Sequence, residues 1–162
     1  MQRIMIIGCG GTGKTTLARR LADKCNFPLV HLDSLYWKPG WVRTSSADWI
    51  KIQKDLVKKP TWIIEGNYKS TLEIRLKRAD TIIMLDYPTW LALFRSIKRW
   101  VMFIGRTRPE MNTGNPERID WQYFKWVLNF PRTEILDLLH QYTHKKILVF
   151  KNPQETERFL KL

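Results

Sequence analysis

Acidic residues are scarce in this 162-residue chain: 15 Asp and Glu stand against 28 Lys and Arg, leaving a net charge of +13. That imbalance favours polyanionic partners, whether nucleotides, nucleic acid or acidic surfaces. Only two cysteines are present, Cys9 and Cys25. They make no disulfide framework, and a cytosolic compartment keeps such thiols reduced. Long apolar runs are missing, so nothing approaches the roughly 20 residues of a membrane span. The segment before the first glycine is too short for a signal peptide. A cytoplasmic protein with no membrane partner is expected. The three histidines, His31, His140 and His144, show no metal spacing with cysteine and receive no role. Repeats, low-complexity tracts and linkers are also absent. At 44% hydrophobic and 27% charged residues, the chain reads as one globular domain over residues 1–162.

Short apolar runs alternate with helical patterns. Arg3–Ile7, Pro28–Leu32, Thr61–Glu65, Thr81–Asp86 and Lys146–Phe150 read as strands. Helices are expected over Thr15–Lys24, from Ser45 or Ser46 to about Lys59, Ser70–Arg78, Thr89–Ile104, Trp121–Tyr142 and after Asn152-Pro153. Pro131 breaks or kinks the Trp121–Tyr142 pattern near Asn129-Phe130. Ser34–Thr44 and Arg106–Arg118 read as loops. The alternation implies an α/β fold built on a parallel sheet. Ligands then bind beyond the carboxyl ends of the strands, where Gly8–Thr15, Asp33, Glu65-Gly66-Asn67, Asp86 and Lys151-Asn152 fall.

Gly8-Cys9-Gly10-Gly11-Thr12-Gly13-Lys14-Thr15 matches G-x-x-x-x-G-K-[ST], the P-loop. Its glycines let the backbone wrap a phosphate with N–H groups pointing inward. Lys14 reaches the β- and γ-phosphates of ATP, and the Thr15 hydroxyl ligates Mg²⁺. Thr16 and the helix dipole extend the site. Strand before and helix after supply the context that the motif requires.

With that loop, His31-Leu32-Asp33-Ser34-Leu35-Tyr36-Trp37-Lys38-Pro39-Gly40-Trp41, Trp62-Ile63-Ile64-Glu65-Gly66-Asn67-Tyr68, Arg75-Leu76-Lys77-Arg78-Ala79-Asp80 and Arg106-Thr107-Arg108-Pro109 carry a resemblance. Together they resemble the adenylate-kinase-related P-loop proteins often labelled "DNA topology modulation protein", over nearly the whole chain. The resemblance implies a three-layer P-loop fold of the nucleoside monophosphate and shikimate kinase type, with strand order 2-3-1-4-5 and ATP binding. It further implies an acceptor-binding insertion at about 34–60 and a lid at about 105–120.

Asp33 is expected to hold the acceptor hydroxyl or the metal, or else to cap a helix. Asp86 ends its strand in the Walker B manner and would hold Mg²⁺ through water. Glu65 and Asn67 are candidates for the acceptor or for metal-bound water. Tyr36, Trp37 and Trp41 either stack on an acceptor base, line an apolar pocket, or pack in the core. Arg106, Arg108 and Arg118 in the lid, with Arg95 and Arg99 on the helix before it, are expected to stabilise the moving phosphoryl group. Asn152 is expected beside adenine. The acceptor is a nucleotide, a nucleoside or a hydroxylated metabolite. The alternative is a nucleic-acid-associated regulator that binds ATP without such turnover, although no DNA-reading module is present. Trp90 and Trp100 could serve an interface, so monomer and homodimer both stay open.

Overall fold

The computed structural model describes residues 1–161. Five strands form the main sheet: β1 (Arg3–Gly8), β2 (Leu29–His31), β5 (Trp62–Glu65), β6 (Thr81–Leu85) and β7 (Lys146–Phe150). Their spatial order is β2-β5-β1-β6-β7, with every neighbouring pair parallel. This is the expected 2-3-1-4-5 order among the five sheet strands. Two further strands, β3 (Trp37–Lys38) and β4 (Val42–Arg43), pair antiparallel as a separate hairpin.

The sheet is buried because its strands are apolar on both faces, the mark of a covered parallel sheet. Side chains alternate across it. Met5 and Ile7 of β1 join Trp62, Ile64, Ile82 and Met84 on one face. That face is covered by α3 (Ser46–Leu56), α4 (Leu72–Arg78) and α7 (Arg132–His140), which supply Trp49, Leu72, Leu76 and Leu139. Ile4 and Ile6 face the other way, with Ile63, Ile83 and Leu85. There α1 (Lys14–Cys25) packs Leu17, Ala18 and Leu21, and α8 (Pro153–Lys161) adds Phe159 and Leu160. The result is helix, sheet, helix.

Two stretches differ from the sequence reading and a third resolves an open choice. Ser34–Thr44 is not plain loop: α2 (Leu32–Tyr36) leads into the β3–β4 hairpin through a 3₁₀ turn at Pro39–Trp41. Of the break or kink expected in Trp121–Tyr142, the structure has the break: two helices, α6 (Trp121–Leu128) and α7, part at Asn129–Pro131, where proline forbids continuation. The helix expected to reach about Lys59, α3, ends early at Leu56, short of Lys59-Pro60, which cannot extend it. The remaining long helix, α5 (Thr89–Phe103), runs as expected and leads into residues 105–120. Ser45 caps α3, its hydroxyl accepting from the Asp48 N–H at 3.2 Å.

Candidate active site

One cleft of about 1340 Å³ opens at the carboxyl ends of the strands. Gly10–Thr16, Asp33, Trp37, Trp41, Glu65, Asn67 and Tyr68 all line it, as do Arg95, Arg99, Arg108 and Arg118. The P-loop leaves β1 and ends at Gly13, whose φ of 91° lies in the left-handed region that favours glycine. Gly13 caps α1 without a side chain, and the first turn of α1 carries no acid. The leading N–H groups of a twelve-residue helix are therefore free for an anion. Lys14 Nζ turns inward and donates to Cys9 O at 2.7 Å. Burial lowers the Lys14 pKa, and the nearby Glu65 and Asp33 charges only partly offset that. A half-buried ammonium at the cleft, held by a carbonyl alone, suits a phosphate.

Glu65 organises the floor. Its Oε1 accepts from the Thr15 hydroxyl at 3.1 Å and meets His31 Nδ1 at 2.8 Å. Burial alone would raise the Glu65 pKa, but the His31 hydrogen bond and the Lys14 charge outweigh it and hold the carboxyl low. The Thr15 hydroxyl and this carboxylate form a hard oxygen pair of the kind Mg²⁺ takes, the rest of its shell coming from phosphate and water. Among the described residues no group of three or more His, Cys, Asp or Glu could hold a metal.

The turn after β5 braces both halves. Asn67 clamps the start of the P-loop, accepting from Gly8 N at 3.1 Å and donating to Gly8 O at 2.7 Å. Tyr68, at φ 44°, donates its hydroxyl to Asp33 Oδ1 at 2.7 Å. Asp33 Oδ2 has no protein partner among the described residues and is exposed to the cleft. Arg75, with no exposed surface, donates to the carbonyls of Gly66, Asn67 and Tyr68. Burial pulls its pKa down to about 9.

Residues 105–120 meet the hairpin. Asn112 Nδ2 donates to Ser34 O at 2.5 Å and Trp37 O at 3.0 Å. Asn115, 1% exposed, accepts from Trp41 N at 2.8 Å and donates to Trp37 O at 3.2 Å. Trp41 Nε1 donates to Pro116 O at 3.0 Å, and the Arg118 guanidinium lies 5.5 Å from the Trp41 ring centre. Trp41 itself has φ 59°. From the other side Tyr123 of α6 bonds Ser96 at 3.1 Å and Arg99 at 3.0 Å. Its hydroxyl rests on the P-loop: a Cβ on Gly10 would meet it at 2.1 Å.

Several expected site residues lie elsewhere. The Asp86 carboxylate is buried between Arg132 and Lys151 and does not line the cleft, so its charge is already neutralised. Glu65, not Asp86, is the acid at the Thr15 hydroxyl. Arg106 is exposed outside the cleft lining. Arg108 is 8% exposed, and its guanidinium is taken up by Glu117 at 2.6 Å and Glu110 at 3.3 Å, which leaves no free charge for a phosphoryl group. Asn152 caps α8, accepting from Glu155 N at 3.0 Å. Tyr36 packs edge-on with Trp37 and Trp49 away from the cleft. Gly8 sits under the loop, held by Asn67. Conversely, His31 enters the site although it was given no role. Tyr68, beside the expected Glu65 and Asn67, and Tyr123, with no motif around it, enter too.

The family description "ATPase family associated with various cellular activities (AAA)" matches residues 4–86, just over half of the chain. The ATPase subunit HslU of an ATP-dependent protease from Helicobacter pylori (strain Shi470) is 32% identical over 79 residues, 48% of this chain. The same protein from Helicobacter acinonychis (strain Sheeba) matches equally. The match spans 17% of the length of those relatives. Among solved structures, a shikimate kinase from Acinetobacter baumannii superposes with a TM-score of 0.62 at 16% identity, covering 99% of this chain and 89% of that one. A gluconokinase from Sinorhizobium meliloti 1021 gives 0.57 at 14% identity, covering 99% and 87%. Those similarities concern the fold along its whole length. The chain belongs to the ATPase family associated with various cellular activities, the P-loop ATPases.

Proposed function

We propose that the protein is an ATP-dependent kinase that phosphorylates a hydroxyl group of a small acceptor held between Asp33, Trp37, Trp41 and Tyr68. One observation carries this reading. The phosphate loop and an exposed carboxylate share a single cleft, and the 105–120 segment is bonded across it to the Trp37–Trp41 hairpin. Such an enclosure excludes water from a phosphoryl transfer. The solved structures of similar fold are named as shikimate kinases and a gluconokinase, which supports the small-molecule class. The label "DNA topology modulation protein" names none of the relatives above and supplies no chemistry.

Bound Mg²⁺-ATP would supply the transferable phosphoryl group. Lys14 and the N–H groups of Gly11–Thr15 would grip its phosphates, and Thr15 with Glu65 would face its metal. Asp33 Oδ2 would accept the proton of the acceptor hydroxyl as that oxygen bonds to the γ-phosphorus and the bond from phosphorus to the departing ADP oxygen breaks, while Tyr68 holds the carboxylate in place. Arg99, pinned by Tyr123, and Arg95 stand over the loop as fixed cations. Arg118 on Trp41 adds a third from the lid.

On α5 this reading assigns most of the cations to the cleft rather than to a nucleic-acid surface. Of the three cations on α5, Arg95 and Arg99 line the cleft and only Lys98 faces outward. Calorimetric titration of Mg²⁺-ATP tests the donor half. We expect saturable binding to the protein and at least a hundredfold loss in Lys14→Ala; unchanged affinity in that variant contradicts the assignment.

A further inference from the structure

The outer face of α5 is apolar where a surface helix is normally polar. Trp90, Phe94, Ile97 and Val101 stand 69%, 61%, 43% and 58% exposed. Their spacing is four, three, four, and Ile104 continues it by three just past the helix. That is the seam spacing of one helix meant for another. Met102 and Ile104 extend the stripe, at 61% and 58% exposed. The opposite face of α5 is spent on the P-loop, where Ala92 and Ser96 are buried.

We propose that a second copy of this chain covers the stripe, by two-fold antiparallel pairing of α5 with α5. Three features select this occupant. Taking about 150–250 Å² for a large side chain, the six residues expose roughly 700 Å², close to the ~800 Å² that each partner buries in a standard interface. Antiparallel pairing about the middle of the seam sets Trp90 opposite Val101 and Phe94 opposite Ile97, large against small. Parallel pairing would set Trp90 on Trp90 and bring the two Lys98 ammonium groups abreast. Antiparallel pairing instead separates them by about five residues along the axis, roughly 7 Å. The stripe is also poorly made for a lipid surface. On α5 itself Lys98 is the one exposed cation, and Arg95 and Arg99 of its polar side line the cleft.

Sedimentation equilibrium of the full chain tests the proposal, and does so independently of any kinase activity. The expected mass is twice the 19.4 kDa protomer at micromolar concentration. Phe94→Glu and Ile97→Glu, each at an exposed position outside the cleft, should give monomers with an unchanged circular dichroism spectrum. Trp90→Cys combined with Val101→Cys should form an intermolecular disulfide under mild oxidation, and Trp90→Cys alone should not. A monomer at ~100 µM contradicts the proposal. So does a dimer that survives both glutamate substitutions. Sedimentation of the protein with phosphatidylglycerol vesicles, abolished by Phe94→Glu, would assign the stripe to a lipid surface instead.

Discussion

Glu65 shows how one side chain can serve several neighbours at once. Its carboxylate takes the Thr15 hydroxyl and the His31 ring while facing the Lys14 ammonium. Its pKa is lowered in the folded chain, so the stability it contributes is complete above its unfolded value of about 4.3. That contribution is lost as pH falls through the lower native pKa. Glu65→Gln should flatten this acid limb of a melting-temperature profile; an unaltered limb would mean that the Glu65 charge is not used. Lys14 behaves in the opposite sense. Burial lowers its pKa, so ATP affinity should fall with rising pH before an ordinary lysine, at about 10.4, would titrate. The motif made Gly8–Thr15 legible, since its spacing alone implies a phosphate cradle. His31 was not legible. A single histidine at a strand end has no pattern, and only the parallel register of β2 with β5 sets it beside Glu65.

At the scale of elements, two connections hold the site in shape. Arg75 is the strut of the turn after β5, satisfying three carbonyls with a cation that has no carboxylate partner. Arg75→Met should cost about 3 kcal/mol of stability, because the carbonyls stay buried and unbonded. Chemical denaturation measures this, and a loss below about 1 kcal/mol would show that water replaces the guanidinium. The second connection joins residues 105–120 to the β3–β4 hairpin. We propose that this segment is the lid and the hairpin part of the acceptor region. Asn115→Ala removes bonds to Trp37 and Trp41. It should raise the acceptor KM about tenfold with little change in ATP affinity; equal effects on both would argue against a lid acting on the acceptor. The apolar strands and the break at Pro131 could be read from the chain, because period and proline act locally. The hairpin could not. Trp41 adopts a left-handed backbone that glycine usually takes, and it is held there by contacts more than seventy residues away.

For the whole molecule, charge is distributed with purpose. The cleft lining is balanced, with eight Lys and Arg against nine Asp and Glu, so the +13 excess lies on the rest of the surface. Individual cations are also paired: Glu110 and Glu117 hold Arg108, and outside the cleft Asp86 holds Arg132 and Lys151. The count of arginines in the lid therefore overstated the cations free for catalysis. Composition reports charge but not pairing, which depends on where the fold brings Glu117 and Asp86. The central claim is a phosphoryl transfer that needs the loop, the carboxylate and a hydroxyl acceptor together. Its most direct test is ADP release, measured with Mg²⁺-ATP alone and with a panel of hydroxylated acids, nucleosides and nucleoside monophosphates. The account predicts release stimulated at least a hundredfold by one acceptor class, and lost in both Lys14→Ala and Asp33→Asn. ADP release that no acceptor stimulates, or that survives Asp33→Asn undiminished, would contradict it.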